Sequence, residues 1–279
     1  MSRLRRIPAA VLCALSLHLA VAPAIAESPP DQGDEHAGHG HTDPLHFLHP
    51  LITESPLPEN EARIEFTYAD LGGGAGDEFT LTGTLELAPV RWFSLELSAP
   101  LSHLNPDGAP IETRLGNVGI GAKFATFAFE EHGLLLAAGV ELSLPTGDDD
   151  RGIGNDHVLE VEPWTGFGFR RDRLEWLGRI GVGIPTNENG DAEADSEVEW
   201  ATSVLVHLVE DKLAGIIEID GLRVFGGDED GFDSISITPG VRVFPFDNPD
   251  ISLGLGVRLP LTSDRDSDVQ TIVTTFFHF

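Results

Sequence analysis

From Glu61 to the last residue, apolar and polar side chains alternate with a period of two. Ile251, Leu253, Leu255, Val257, Leu259 and Leu261 are interleaved with Ser252, Gly254, Gly256 and Arg258. Ile235, Ile237, Val241 and Val243 alternate with Ser234, Ser236, Gly240 and Arg242, and Leu174, Trp176, Ile180, Val182 and Ile184 with Glu175, Arg179, Gly181 and Gly183. Successive side chains of a strand point to opposite faces, so this pattern predicts strands with one apolar and one polar face. Twelve such segments can be drawn, at 61–71, 77–89, 91–102, 114–130, 132–145, 156–170, 172–185, 196–210, 212–226, 231–245, 250–262 and 268–279. Their joints alternate between tight turns, as at Arg171-Asp172 and Glu210-Asp211, and longer polar stretches such as 105–111, 146–155 and 187–195. An even number of strands with short turns at one end and longer loops at the other is the signature of a membrane barrel. The expected fold is all-β: an antiparallel transmembrane β-barrel of about twelve strands, spanning 61–279, with a disordered N-terminal tail. A soluble β-sandwich also alternates, with its apolar face as the core, but its strands average only about five or six residues.

The residues before the barrel divide in two. Arg3, Arg5 and Arg6, the apolar stretch from Ala9 to Val21, and Ala24-Ile25-Ala26 read as a secretory signal over 1–26, cleaved before Glu27. A membrane anchor would need about 20 apolar residues, and lipidation at Cys13 is disfavoured by the bulky Leu12 before it. Residues 27–60 hold six prolines, several acids and a histidine cluster without periodicity, and are expected to form a flexible periplasmic tail. Within it, Leu45-His46-Phe47-Leu48-His49-Pro50-Leu51 is apolar enough to dock against the barrel.

Charge and sulfur content narrow the function. The chain carries 46 acids against 17 bases, a formal net charge of −29, which excludes a nucleic-acid binder held by phosphate contacts. The single cysteine, Cys13, and the single methionine, Met1, leave with the signal segment. The mature chain therefore has no disulfide, no thiolate zinc site and no soft Cu(I) site.

If the apolar face meets lipid, the other face lines a lumen. The residues expected there to set selectivity are Glu86, Glu96, Lys123, Glu141, Glu160, Glu162, Glu175, Arg179, Glu199, Glu218, Asp220, Arg242 and Arg258, with Arg63, Glu65 and His207 beside them. A wall richer in acids than bases concentrates cations and repels anions, so a cation-preferring route for small solutes follows. The competing reading is an interior filled by paired charges, giving a plugged structural or metal-binding barrel. His36, His39, His41, His46 and His49 crowd fourteen residues of the tail and are candidate ligands for Zn²⁺, Ni²⁺ or Cu²⁺. The barrel itself needs no cofactor. Phe277 and Phe279 end the chain with the spacing of a C-terminal signal read by the barrel-assembly machinery. The expected location is the bacterial outer membrane, and the expected partners are its lipid, that machinery and a solute. No G-x-S-x-G, P-loop or HExxH motif is present, and no enzymatic activity is expected.

With its signal segment, its long alternation, and strands closing on Leu144-Pro145-Thr146-Gly147, Ile184-Pro185-Thr186 and Pro260-Leu261-Thr262, the chain resembles the outer-membrane barrels of the MetA-pathway of phenol degradation family. That resemblance implies an outer-membrane location and passage of small, aromatic molecules. It assigns no binding residues.

Overall fold

The computed structural model describes residues 45–186, 196–227, 229–246, 248 and 250–279. The expected signal segment, 1–26, and His36, His39 and His41 lie outside the described residues. The strands are β1 (Glu61–Asp70), β2 (Asp77–Val90), β3 (Phe93–Asn105), β4 (Glu112–Leu115), β5 (Gly119–Thr126), β6 (Leu134–Ser143), β7 (Glu160–Arg171), β8 (Leu174–Pro185), β9 (Ser196–Val209), β10 (Leu213–Phe225), β11 (Asp233–Val243), β12 (Ile251–Pro260) and β13 (Val269–His278). β4 and β5 both pair with β3 and together make one crossing. Gly116 donates its N–H to the Pro100 carbonyl at 2.8 Å, but proline has no N–H to return, and the ladder lapses between β4 and β5. The result is twelve antiparallel crossings.

With β4 and β5 counted as one crossing, each crossing pairs with its sequence neighbours, and β1 pairs with β13, setting Glu61 opposite His278. The sheet is thereby closed, with no edge left to hydrogen-bond with solvent or lipid. The short turns and both ends of the barrel sequence lie at one end, which in outer-membrane barrels faces the periplasm.

The two faces carry opposite chemistry. On β2, Phe79, Leu81, Leu85 and Leu87 are 37–47% exposed on the outside, whereas Glu78, Thr82, Thr84 and Glu86 are buried inside. Leu95, Leu97 and Leu101 on β3 and Leu253, Leu255 and Leu259 on β12 repeat the outward apolar face. A soluble sandwich would show the reverse, so the exposure pattern decides for a barrel seated in lipid. Trp92 and Trp176 are exposed near the periplasmic turns, where aromatic rings sit at the membrane interface.

Residues 45–60, placed in the expected tail, enter the barrel, and the apolar run Leu45–Leu51 docks on its inner wall. Leu45, Phe47, Leu48 and Leu51 form one apolar cluster with Leu135, Leu177, Leu205, Ala214, Ile216, Phe244 and Ile272 from the inner wall. The reason is the wall itself. Leu177, Leu205, Ile216 and Ile272 share the inward phase with Glu175, Ser203, Glu218 and Thr274, so part of the interior is apolar and needs an apolar partner.

Candidate functional site

The plug is held at the periplasmic end of the lumen by charged side chains bonded to its backbone. Glu218 on β10 accepts the N–H groups of Leu51 at 2.5 Å, Thr53 at 2.7 Å and Ile52 at 3.2 Å. Arg242 on β11 donates to the His49 carbonyl at 2.5 Å and the Pro50 carbonyl at 2.9 Å, and is itself steadied by Ser252 and Thr274. Glu175 accepts Leu48 N–H at 2.7 Å while its other oxygen meets His207, and Arg170 donates to the His46 carbonyl at 2.7 Å. Lys123 reaches the Ser55 and Leu57 carbonyls at 3.1 and 3.4 Å and pairs with Glu54 and Glu86, each at 2.9 Å. A segment without regular secondary structure cannot satisfy its own amides, so the wall supplies charge-assisted partners instead.

Packing completes the fit. Leu51 lies against Gly240, Gly254 and Gly256, where a Cβ on Gly256 would come within 2.3 Å of a Leu51 methyl. These glycines vacate the space that the leucine fills.

Beyond the plug the lumen opens into a cavity of about 370 Å³, floored by Leu51, Ile52 and Glu54 and reaching the loops at the far end through Asp149, Asn155, Glu229 and Asp266. Twelve acids and three arginines line it. The arginines are engaged: Arg179 with Glu162 at 2.5 Å and Glu141 at 3.3 Å, Arg258 with Asp220, and Arg63 with Glu96 at 3.7 Å. Acids outnumber bases fourfold in this lining. At its mouth, burial raises the Asp266 carboxyl above the ordinary aspartate range, opposed by Arg258.

The lumen residues expected from sequence all lie on the inner wall, but they divide into two groups. Glu86, Lys123, Glu175, Glu218 and Arg242 hold the plug. Glu141, Glu160, Glu162, Arg179, Glu199, Asp220 and Arg258 line the cavity, and Glu96 pairs with the cavity-lining Arg63. Glu54, Arg170, Glu197 and Asp266 also contribute and were not singled out by the alternation, because Glu54 precedes the barrel and the others sit at strand ends or in a loop.

Of the tail histidines within the described residues, His46 and His49 turn toward Glu59, at 3.3 and 3.1 Å. Burial pushes His49 down to about 3, against the pull of Glu59, and leaves a neutral imidazole. Burial also lowers His46, but the hydrogen bond to Glu59 together with the charges of Glu59 and Glu175 outweighs it, and the net direction is upward. Phe277 is 37% and Phe279 66% exposed, whereas Phe276 faces inward and stacks on His49.

No protein-family model matches the sequence, and no curated protein is similar to it in sequence. The fold is similar to that of the COG4313 outer membrane channel from Pseudomonas putida F1, with a TM-score of 0.61 and 9% identity over 81% of this chain and 97% of that one. It is also similar to NanC porin (TM-score 0.54, 8% identity, 79% and 98% covered) and to the β domain of the Bordetella autotransporter Brka (0.51, 11%, 79% and 99%). At such identities the likeness is one of fold. Closure, the apolar outer face and the charged interior make this chain an outer-membrane β-barrel whose lumen is stoppered from the periplasmic side.

Proposed function

We propose that the protein is a gated channel or transporter for small solutes, cation-preferring, in which residues 45–60 are the gate. The observation that carries this reading is the cavity lined by twelve acids and three arginines and floored by a docked segment. Charge-assisted contacts to backbone accompany the apolar packing in the docking. Each can be exchanged for water, which suits a segment that leaves and returns better than a permanently fused core. The solved structures of similar fold include proteins described as a channel and a porin, and the resemblance to the MetA-pathway family points the same way. The acidic wall favours cations over a phenol as cargo.

His36, His39 and His41 would gather Zn²⁺, Ni²⁺ or Cu²⁺ on the periplasmic side, upstream of the gate. Exposed Phe277 and Phe279 suit recognition by the barrel-assembly machinery. A second reading, a permanently plugged binding barrel, is favoured by the number of ties to the plug. Flux separates the two. Proteoliposomes holding the mature protein should pass small monovalent cations faster than chloride; impermeability to both, with insertion confirmed, would favour the plugged barrel.

A further inference from the structure

Barrel closure puts Glu61 and His278 side by side on the inner wall at the periplasmic end, and the plug brings His49 and Glu59 onto the same point. His49 Nε2 lies 3.1 Å from Glu59 Oε2 and 3.0 Å from Glu61 Oε2. His278 Nδ1 lies 4.0 Å from Glu59 Oε1 and 3.9 Å from Glu61 Oε2. One ligand atom from each of the four residues falls within 4.8 Å of the others. His49 is 6% and Glu61 4% exposed. His49 Nε2, Glu59 Oε2 and Glu61 Oε2 are buried, and none makes a hydrogen bond among the described residues, although they nearly touch. Buried polar atoms ordinarily find partners, and atoms that converge without hydrogen-bond geometry are those a cation between them would satisfy.

We propose that His49, Glu59, Glu61 and His278 bind one divalent transition-metal ion of the zinc type, which clips the plug to the seam where β1 meets β13. Two imidazole nitrogens and two carboxylate oxygens are a borderline donor set suited to Zn²⁺ and its neighbours, whereas Ca²⁺ and Mg²⁺ take oxygens and Cu(I) takes sulfur. Tetrahedral zinc with bonds of about 2.0–2.2 Å sets its ligand atoms roughly 3.3 Å apart, so the His49 contacts already have that spacing and the farthest pair, within 4.8 Å, must close by up to roughly 1.5 Å through side-chain rotation. Two carboxylates balance the ion's charge. His46, 3.3 Å from Glu59 Oε1, orients that carboxylate from outside the ligand set. The site does not depend on transport, and it is separate from any metal gathered by His36, His39 and His41.

The test uses the full mature protein in detergent, stripped with EDTA and titrated with Zn²⁺ by calorimetry, with retained metal counted by mass spectrometry after desalting. One tightly held ion per chain is expected. A variant replacing His36, His39 and His41 with alanine should keep it. His49→Ala and the isosteric Glu61→Gln should each weaken binding by at least about a hundredfold, with barrel folding checked by heat-dependent gel mobility. X-ray absorption on zinc-loaded wild type needs no variant, and should show mixed nitrogen and oxygen neighbours from two histidines and two carboxylates. No tight ion in wild type, loss of the ion in the tail variant, or its retention in both His49→Ala and Glu61→Gln would overturn the proposal.

Discussion

Glu218 is the point where the gate can be loosened with least damage to the barrel. Its carboxylate accepts three consecutive backbone N–H groups of the plug, from Leu51, Ile52 and Thr53, and its strand neighbours remain paired by backbone when the side chain is cut back. In Glu218→Ala, the docked state keeps three amides without their acceptor. A buried unsatisfied donor costs about 1–3 kcal/mol, and water admitted to the gap returns part of it, so a total near 3 kcal/mol is a fair working figure. That corresponds to a roughly hundredfold rise in the undocked fraction. Because residues 27–279 hold no cysteine, a Ser55→Cys reporter is the single thiol of a protein that begins at Glu27, and Ser55 is only 2% exposed when docked. Maleimide labelling from the periplasmic side then reads undocking directly. Labelling should speed up by about two orders of magnitude in the Glu218→Ala background, with unchanged heat-dependent gel mobility. A rate within about twofold of the parent would refute the argument that these three bonds hold the plug.

Other perturbations test separate parts of the account. Gly256→Val places a side chain where the Leu51 methyl lies, and should raise Ser55→Cys labelling while the strand pairing persists. Zn²⁺ should slow that labelling and EDTA restore it; no response to either would separate the metal site from the gate. Asp149→Asn with Glu229→Gln removes two acids from the cavity's loop end and should move the reversal potential in a KCl gradient toward zero, an effect that salt screening reduces. Leu81→Arg, on the outer face at mid-strand, should cost about 2–4 kcal/mol of folding into bilayers, measured by urea titration in vesicles, whereas Thr80→Ser on the same strand should cost little.

The strands were legible because a bilayer imposes a strict rule: every second residue must tolerate hydrocarbon. The alternation from Leu81 to Leu87 and from Ile251 to Leu259 follows that rule and marks strand positions to within a few residues. The break between β4 and β5 was not visible, since it arises from Pro100 on a neighbouring strand. The plug was partly visible. The apolar run Leu45–Leu51 suggested docking, and Leu177, Leu205, Ile216 and Ile272 stand in the phase that should be polar, which is the mark of something apolar inside. That signal was submerged in the acidic positions around it. The grouping of His49 and Glu59 with Glu61 and His278 could not be read from the chain, because it exists only after the first and last strands pair.

The most direct measurement is single-channel recording of the wild type and of Glu218→Ala in a planar bilayer under a KCl gradient. The account predicts brief, cation-selective openings in the wild type. In the variant it predicts openings of the same unit conductance and selectivity, far more frequent. Silence from both proteins with insertion confirmed, or an anion-selective current from the variant, would contradict it.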